Sequence, residues 1–149
     1  MSITLDPYLN FRGNAREAME FYRGVFGGEL TTSTFKEFGA SSDPSEDDLV
    51  MHADLHGSDG VRFMAADVPQ RMEYRSGSNV TMSLSGDDET KLRTIFERLA
   101  SGGTVTHPLM KAQWGDTFGM CTDRFGIGWM VDIAPQSQEA PQTREAAAV

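Results

Sequence analysis

Residues 8–30 read YLNFRGNAREAMEFYRGVFGGEL, and the parsing of this stretch decides the fold. Its opening, with the preceding ITLDP, is extended and ends at Gly13. Asn14 then stands where a helix N-cap would, with Glu17 three residues on, as in a capping box. Ala15, Ala18, Met19, Tyr22, Val25 and Phe26 recur at three- and four-residue intervals, one stripe of a helix. Gly27 and Gly28 end that helix, because glycine adopts a left-handed C-terminal position most cheaply. ELTTSTFKEF, from Glu29, is rich in Thr and Phe and reads as a strand.

Outward from this core the pattern continues and then repeats. GASSDPSEDD (39–48) reads as a polar, mobile loop. LVMHADLHG (49–57) and GVRFMAADV (60–68) read as a hairpin turned by GSDG. PQRMEYRSGS (69–78) is the candidate linker. In NVTMSLSG, Val80, Met82 and Leu84 alternate with polar residues at strand period. Asp87 or Asp88 then caps a helix whose Leu92, Ile95, Phe96 and Leu99 share a face, and Gly102 and Gly103 stop it. TVTHPLMKAQW, DTFGMCTD and IGWMVDIA read as three more strands. Strand, helix and three strands therefore occur twice, which points to a pseudo-symmetric fold. The expected organisation is a first unit over 1–75, a second over 76–134 and a disordered tail over 135–149.

Composition narrows the function classes. The 149 residues suffice for one domain built of two halves, and they carry a net charge of −9. That balance argues against nucleic acid, which calls for a basic patch. It suits a cationic ligand, and equally the surface of an ordinary soluble protein. No apolar run approaches the roughly 18 residues of a membrane helix, so no membrane partner is expected. The start has no basic and apolar leader, and Cys121 is the single cysteine, so a reducing cytoplasm is the expected setting.

Three motifs carry a resemblance to a known family. NAREAMEFYRGVFGGE resembles the first helix of the vicinal-oxygen-chelate superfamily of glyoxalases, extradiol dioxygenases and antibiotic-resistance proteins. Together with MHADLHG (51–57) and DRFGIGWMVDI (123–133) it is similar to the PhnB-like branch, over about residues 3–134. The resemblance implies an α+β fold, two βαβββ repeats forming a cupped, mostly antiparallel sheet. It also implies a homodimer and a small-molecule ligand, with the repeats paired within a chain or exchanged between chains. The superfamily's enzymes hold a divalent metal through His, Glu or Gln. Counting from the matched motifs puts those positions at Pro7, at or beside Asp54, near Asn79 and near Met130. Only Asp54, with His52 two residues earlier on the same strand face, keeps ligand chemistry, so the expectation is no metal and no cofactor. Some proteins of this branch are labelled demethylubiquinone methyltransferases. No strand leading into a glycine-rich turn suits a nucleotide-like cofactor here.

The candidate site residues follow. His52 and Asp54 are read as a base with its orienter, as ligands, or as a hydrogen-bonded pair in the sheet. Tyr8, Asn10, Trp114, Phe118 and Trp129 fall on strands that the fold wraps around the cup, with Asp116 at its mouth, and the alternative for the aromatics is core packing. His56 and His107 read as surface residues beside turns. Six of the nine methionines, at 51, 64, 82, 110, 120 and 130, lie in predicted strands, where thioethers fill a curved core or adapt to a ligand. Two functions stand side by side. One is metal-free binding of a small organic molecule, with a cationic, antibiotic-like compound as one version. The other is a metal-dependent enzyme of lyase or dioxygenase type whose rearranged site uses His52 and Asp54.

Overall fold

The structure is a computed structural model and describes residues 2–136. Most of the 135–149 tail thus lies outside the described residues. Contacts divide the chain into two compact units, Met1–Asn79 and Val80–Val149. In the first, the elements run β1 (Tyr8–Phe11), α1 (Ala15–Phe26), β2 (Glu29–Thr34), β3 (Val50–His56) and β4 (Arg62–Asp67). In the second they run β5 (Met82–Gly86), α2 (Glu89–Ala100), β6 (Thr104–Lys111), β7 (Thr117–Thr122) and β8 (Gly128–Ile133). Each unit is βαβββ, the α+β pattern expected from the sequence. The sheets have matching orders, β1-β4-β3-β2 and β5-β8-β7-β6. In both, the first strand runs parallel to the last, with Tyr8 opposite Met64 and Met82 opposite Trp129, and the other pairings are antiparallel.

The helix stripes behave as their spacing dictates. α1 buries Ala15, Ala18, Met19, Tyr22, Val25 and Phe26, the residues of its periodic stripe, against β2, β3 and β4. Tyr22 and Phe26 meet Phe63 of β4 edge-on, at ring-centroid distances of 5.3 and 5.9 Å. α2 buries Leu92, Phe96 and Leu99, with Ile95 half-buried, on a sheet face that includes Cys121, Trp129 and Val131.

The helix exits repeat as well. Gly27 and Gly102 take positive φ values of 69° and 76°. A Cβ on Gly28 would lie 2.0 Å from the His56 carbonyl oxygen, and one on Gly103 would lie 2.2 Å from that of Thr122. In each repeat the chain leaves its helix pressed against the hairpin that completes its sheet, and only glycine fits there.

The helix entries differ. Asp88 accepts a hydrogen bond from the Lys91 N–H at 3.1 Å and caps α2, as expected. The Asn14 side chain makes no capping hydrogen bond, contrary to the capping-box reading. Buried Asp67, at the end of β4, does that work. Its Oδ1 accepts from the Gly13 and Ala15 N–H groups at 2.8 and 3.0 Å, and its Oδ2 from Val50 N–H at 2.9 Å. A desolvated carboxylate holding three donors outcompetes an exposed amide beside the helix.

Other boundaries shift for local reasons. The loop expected to be mobile contains a 3-10 turn, Pro44–Glu46, capped by Asp43, and buried Glu46 accepts from Gln70 N–H at 2.9 Å. β6 stops at Lys111, and Trp114 lies in the turn closed by the 2.7 Å hydrogen bond from Ala112 N–H to the Asp116 carbonyl. Val80 precedes β5 and is exposed. Arg12 fastens the segment after β4 by donating to the Met72 carbonyl and lying 5.3 Å over the Tyr74 ring.

Candidate functional site

Each sheet has one face under its helix and one open face. On the first sheet, register places Tyr8, Met64, Asp54 and Thr31 side by side on the open face. Asn10 beside Ala66, and His52 beside Ser33, form the next row. Ala53, Leu55, Phe63 and Ala65, at the alternating positions, are buried beneath α1. His52 and Asp54 thus share a face, as their spacing predicts, but they are not each other's partners. The Tyr8 hydroxyl lies 3.3 Å from His52 Nδ1, with the rings 5.9 Å apart. Burial raises the Tyr8 phenol above its ordinary value, which keeps it neutral.

Asp54 belongs to a different set. Arg62 on β4 reaches its Oδ2 with Nη2 at 3.1 Å and its Oδ1 with Nε at 3.4 Å. His56 Nε2 stands 3.2 Å from the same Oδ2, and Arg62 Nη1 also reaches Asp6 at 3.4 Å. The Arg62 hydrogen bonds, with help from its charge and from His56, hold the Asp54 carboxyl below the usual carboxylate range. The reading of Asp54 as the orienter of His52 is therefore corrected.

On the second sheet the open face carries Ser85, Asp132, Phe118 and Met110 in one row. Ser83, Met130, Met120 and His107 form the next. Phe118 meets His107 and Trp114 edge-on at 5.4 and 6.0 Å, and Trp114 is 66% exposed at the sheet's end. Asp116, one residue before β7, lies beside Asp132. Burial first, and then Asp116, raises the Asp132 carboxyl above its ordinary value. Asp132 Oδ1 is buried with no hydrogen-bond partner among the described residues.

Trp129 is also corrected. It is 1% exposed, on the α2 side of its sheet, and its indole N–H donates to Asp123 Oδ2 at 2.8 Å. Asp123 Oδ1 accepts from Phe125 and Ile127 N–H at 2.9 and 3.0 Å, so this residue orders a turn and a core indole. Cys121 is buried nearby, and burial, then Asp123, pushes its thiol up to about 11, which leaves little thiolate to act as a nucleophile.

Sequence reasoning missed Arg62 and Asp132, and it read His107 as a surface residue without its contact to Phe118. Asp132 had a readable signal, since a carboxylate in the apolar run GWMVDI has no place in a core. Arg62 had none, because its partner lies across a hairpin whose register the sequence does not reveal.

The residues at the positions where the resemblance expects metal ligands do not suit a metal. Pro7 has no side-chain donor, and its carbonyl accepts from Met64 N–H at 3.0 Å. Asn79 is a neutral amide, Met130 a half-buried thioether, and Asp54 is engaged by Arg62 and His56. No group of three or more His, Cys, Asp or Glu suited to a metal occurs among the described residues.

The repeated fold and its two open faces are those of a known class. Residues 4–131 match the model of the Glyoxalase/Bleomycin resistance protein/Dioxygenase superfamily, and the chain belongs to that superfamily. A crystal structure of protein PA1353 from Pseudomonas aeruginosa is similar, with 37% identity and a TM-score of 0.76 over 90% of this chain and 99% of that one. A putative 3-demethylubiquinone-9 3-methyltransferase, PhnB protein, from Bacillus cereus aligns at 25% identity and a TM-score of 0.72, over 89% of this chain and all of its own. Protein YjdN of Escherichia coli K12 is 27% identical, over 89% of this chain and 96% of its own length. No helix among the described residues is long and apolar enough to cross a membrane.

Proposed function

We propose that this superfamily member binds a small organic molecule without a metal, at its open sheet faces, a cationic, antibiotic-like compound being one version of the ligand. The donor set carries this reading. Of the family's four metal positions, proline, asparagine and methionine occupy three, and Arg62 and His56 take the carboxylate at the fourth. What the open faces offer instead is contact area. Tyr8, Met64, Phe118, Met120 and Met130 are flat or adaptable side chains interspersed with hydroxyl and carboxyl groups. Elemental analysis after dialysis against trace Ni, Zn and Mn should find no stoichiometric metal, and a thermal-shift screen of organic compounds should find ligands that raise Tm. About one metal per chain would overturn the reading.

The Tyr8–His52 contact favours one alternative, an enzyme in which phenol and imidazole act as an acid–base pair. In that case His52→Ala abolishes an activity and leaves Tm nearly unchanged. The proposal extends to a cytoplasmic homodimer. The resemblance supports the dimer, as do the exposed apolar side chains Ile3 (99%) and Leu5 (97%), and sedimentation of the purified chain tests it.

A further inference from the structure

The open face of the second sheet brings three soft donors into one row. His107 on β6 stands opposite Met120 on β7, and Met120 opposite Met130 on β8. Neighbours across a sheet have Cβ atoms about 5 Å apart, so the three side chains rise side by side. Met120 and Met130 are half-buried and His107 is exposed, while Cys121, Trp129 and Val131 fill the α2 side of the same strands.

The imidazole is held with a lone pair on offer. Its Nδ1 lies 2.9 Å from the Pro108 carbonyl oxygen, which can only accept, so Nδ1 carries the proton. Nε2 is then an electron-pair donor, and no described residue hydrogen-bonds to it. Phe118, two residues before Met120, meets the imidazole edge-on at 5.4 Å, with Trp114 behind it at 6.0 Å.

No carboxylate belongs to this row, whose fourth position is Ser83. The first sheet is built otherwise: Met64 stands beside Asp54, and His52 beside Ser33, so methionine and histidine fall in different rows. One imidazole and two thioethers are a poor set for Ni, Zn or Mn, whereas thioethers select Cu(I). The flexible methionine stems let both sulfurs close on one ion, and aromatic faces nearby favour a cation.

We propose that His107 Nε2 and the Sδ atoms of Met120 and Met130 bind a soft monovalent metal ion, Cu(I). The set Pro7, Asp54, Asn79 and Met130 suits no metal, but Met130 joins His107 and Met120, which stand at none of those positions. The site goes beyond the small-molecule reading above, whose metal analysis concerns Ni, Zn and Mn.

The probe is Ag(I), a redox-inert ion of the same charge and softness, titrated into the full chain with its methionine methyl groups labelled for NMR. One equivalent should shift the Met120 and Met130 methyl signals together, and anaerobic Cu(I) should give the same pattern. Zn(II) at the same concentration should move neither signal. Met120→Leu, Met130→Leu and His107→Gln should each weaken Ag(I) binding at least about tenfold. Met72→Leu, which removes an exposed thioether elsewhere, should not. Cys121 is the competing soft ligand, and Cys121→Ala should keep the pattern. The methyl signals report the site directly, whatever that variant does to stability. Signals that stay still while Ag(I) binds, or binding lost in Cys121→Ala but kept in the three ligand variants, would overturn the site. Equal shifts with Zn(II), or none with Cu(I), would overturn the Cu(I) assignment. Each of these failures leaves the small-molecule reading standing.

Discussion

Asp54 on β3 and Asp132 on β8 stand on corresponding open faces of two sheets with one topology, and their surroundings are opposite. Asp54 faces a guanidinium and an imidazole, which hold its carboxyl low. Asp132 faces another acid, and burial together with that acid pushes its carboxyl high. The comparison teaches that a repeat can conserve its backbone plan while its open face changes from an ion-pair network to two neighbouring acids. The buried carboxylates Asp67 and Asp123, each fully supplied with donors, show what a purely structural acid looks like in this chain.

The largest effects should come from what the repeats share. Gly28→Ala and Gly103→Ala each drive a methyl into backbone, so each should cost more than about 3 kcal/mol in urea denaturation. Tolerance of either one would break the equivalence of the two helix exits. Asp67→Ala should come next, at about 3 kcal/mol, because it strands three N–H donors. Asp132→Asn should act in the other direction. A raised carboxyl means that the fold penalises the ionised form, a penalty absent below the ordinary carboxylate value and complete above the raised one. Replacement should therefore raise Tm slightly at neutral pH, with the gain vanishing in acid. A lower Tm at neutral pH would make Asp132 a structural residue like Asp67. Arg62→Ala should have the smallest effect, since the pair is partly exposed. Asp54 is depressed, so its contribution is present above its ordinary value and fades as pH falls through the depressed one. A slight loss of Tm at neutral pH that disappears in acid would fit.

Much of the fold was legible because periodicity reports local geometry. The six buried residues of α1 are its periodic stripe, and the double glycines mark both helix exits. The site was less legible, because its partners are set by register and by side chains far apart in sequence. Asp54 and His52 could be assigned a common face, but their separate partners, Arg62 and Tyr8, arrive on β4 and β1. Asn14 had the local pattern of a cap and lost that role to Asp67, which no local window contains. Trp129 shows the ambiguity of an aromatic in a strand, since one residue of register decides between core and open face.

The parallel pairing of first and last strands gives each unit an order of assembly. β1 is synthesised first, yet within its sheet it pairs with β4, the last strand of the unit, so nearly the whole unit must be made before that pairing can form. α1, at 12 residues, is marginal by itself, and the carboxylate that caps it is the final residue of β4. Sheet closure, helix capping and the anchoring of β3 through Val50 therefore coincide when Asp67 arrives. The loop entropy of bringing β1 to β4 is thus repaid by contacts that meet at one residue, Asp67.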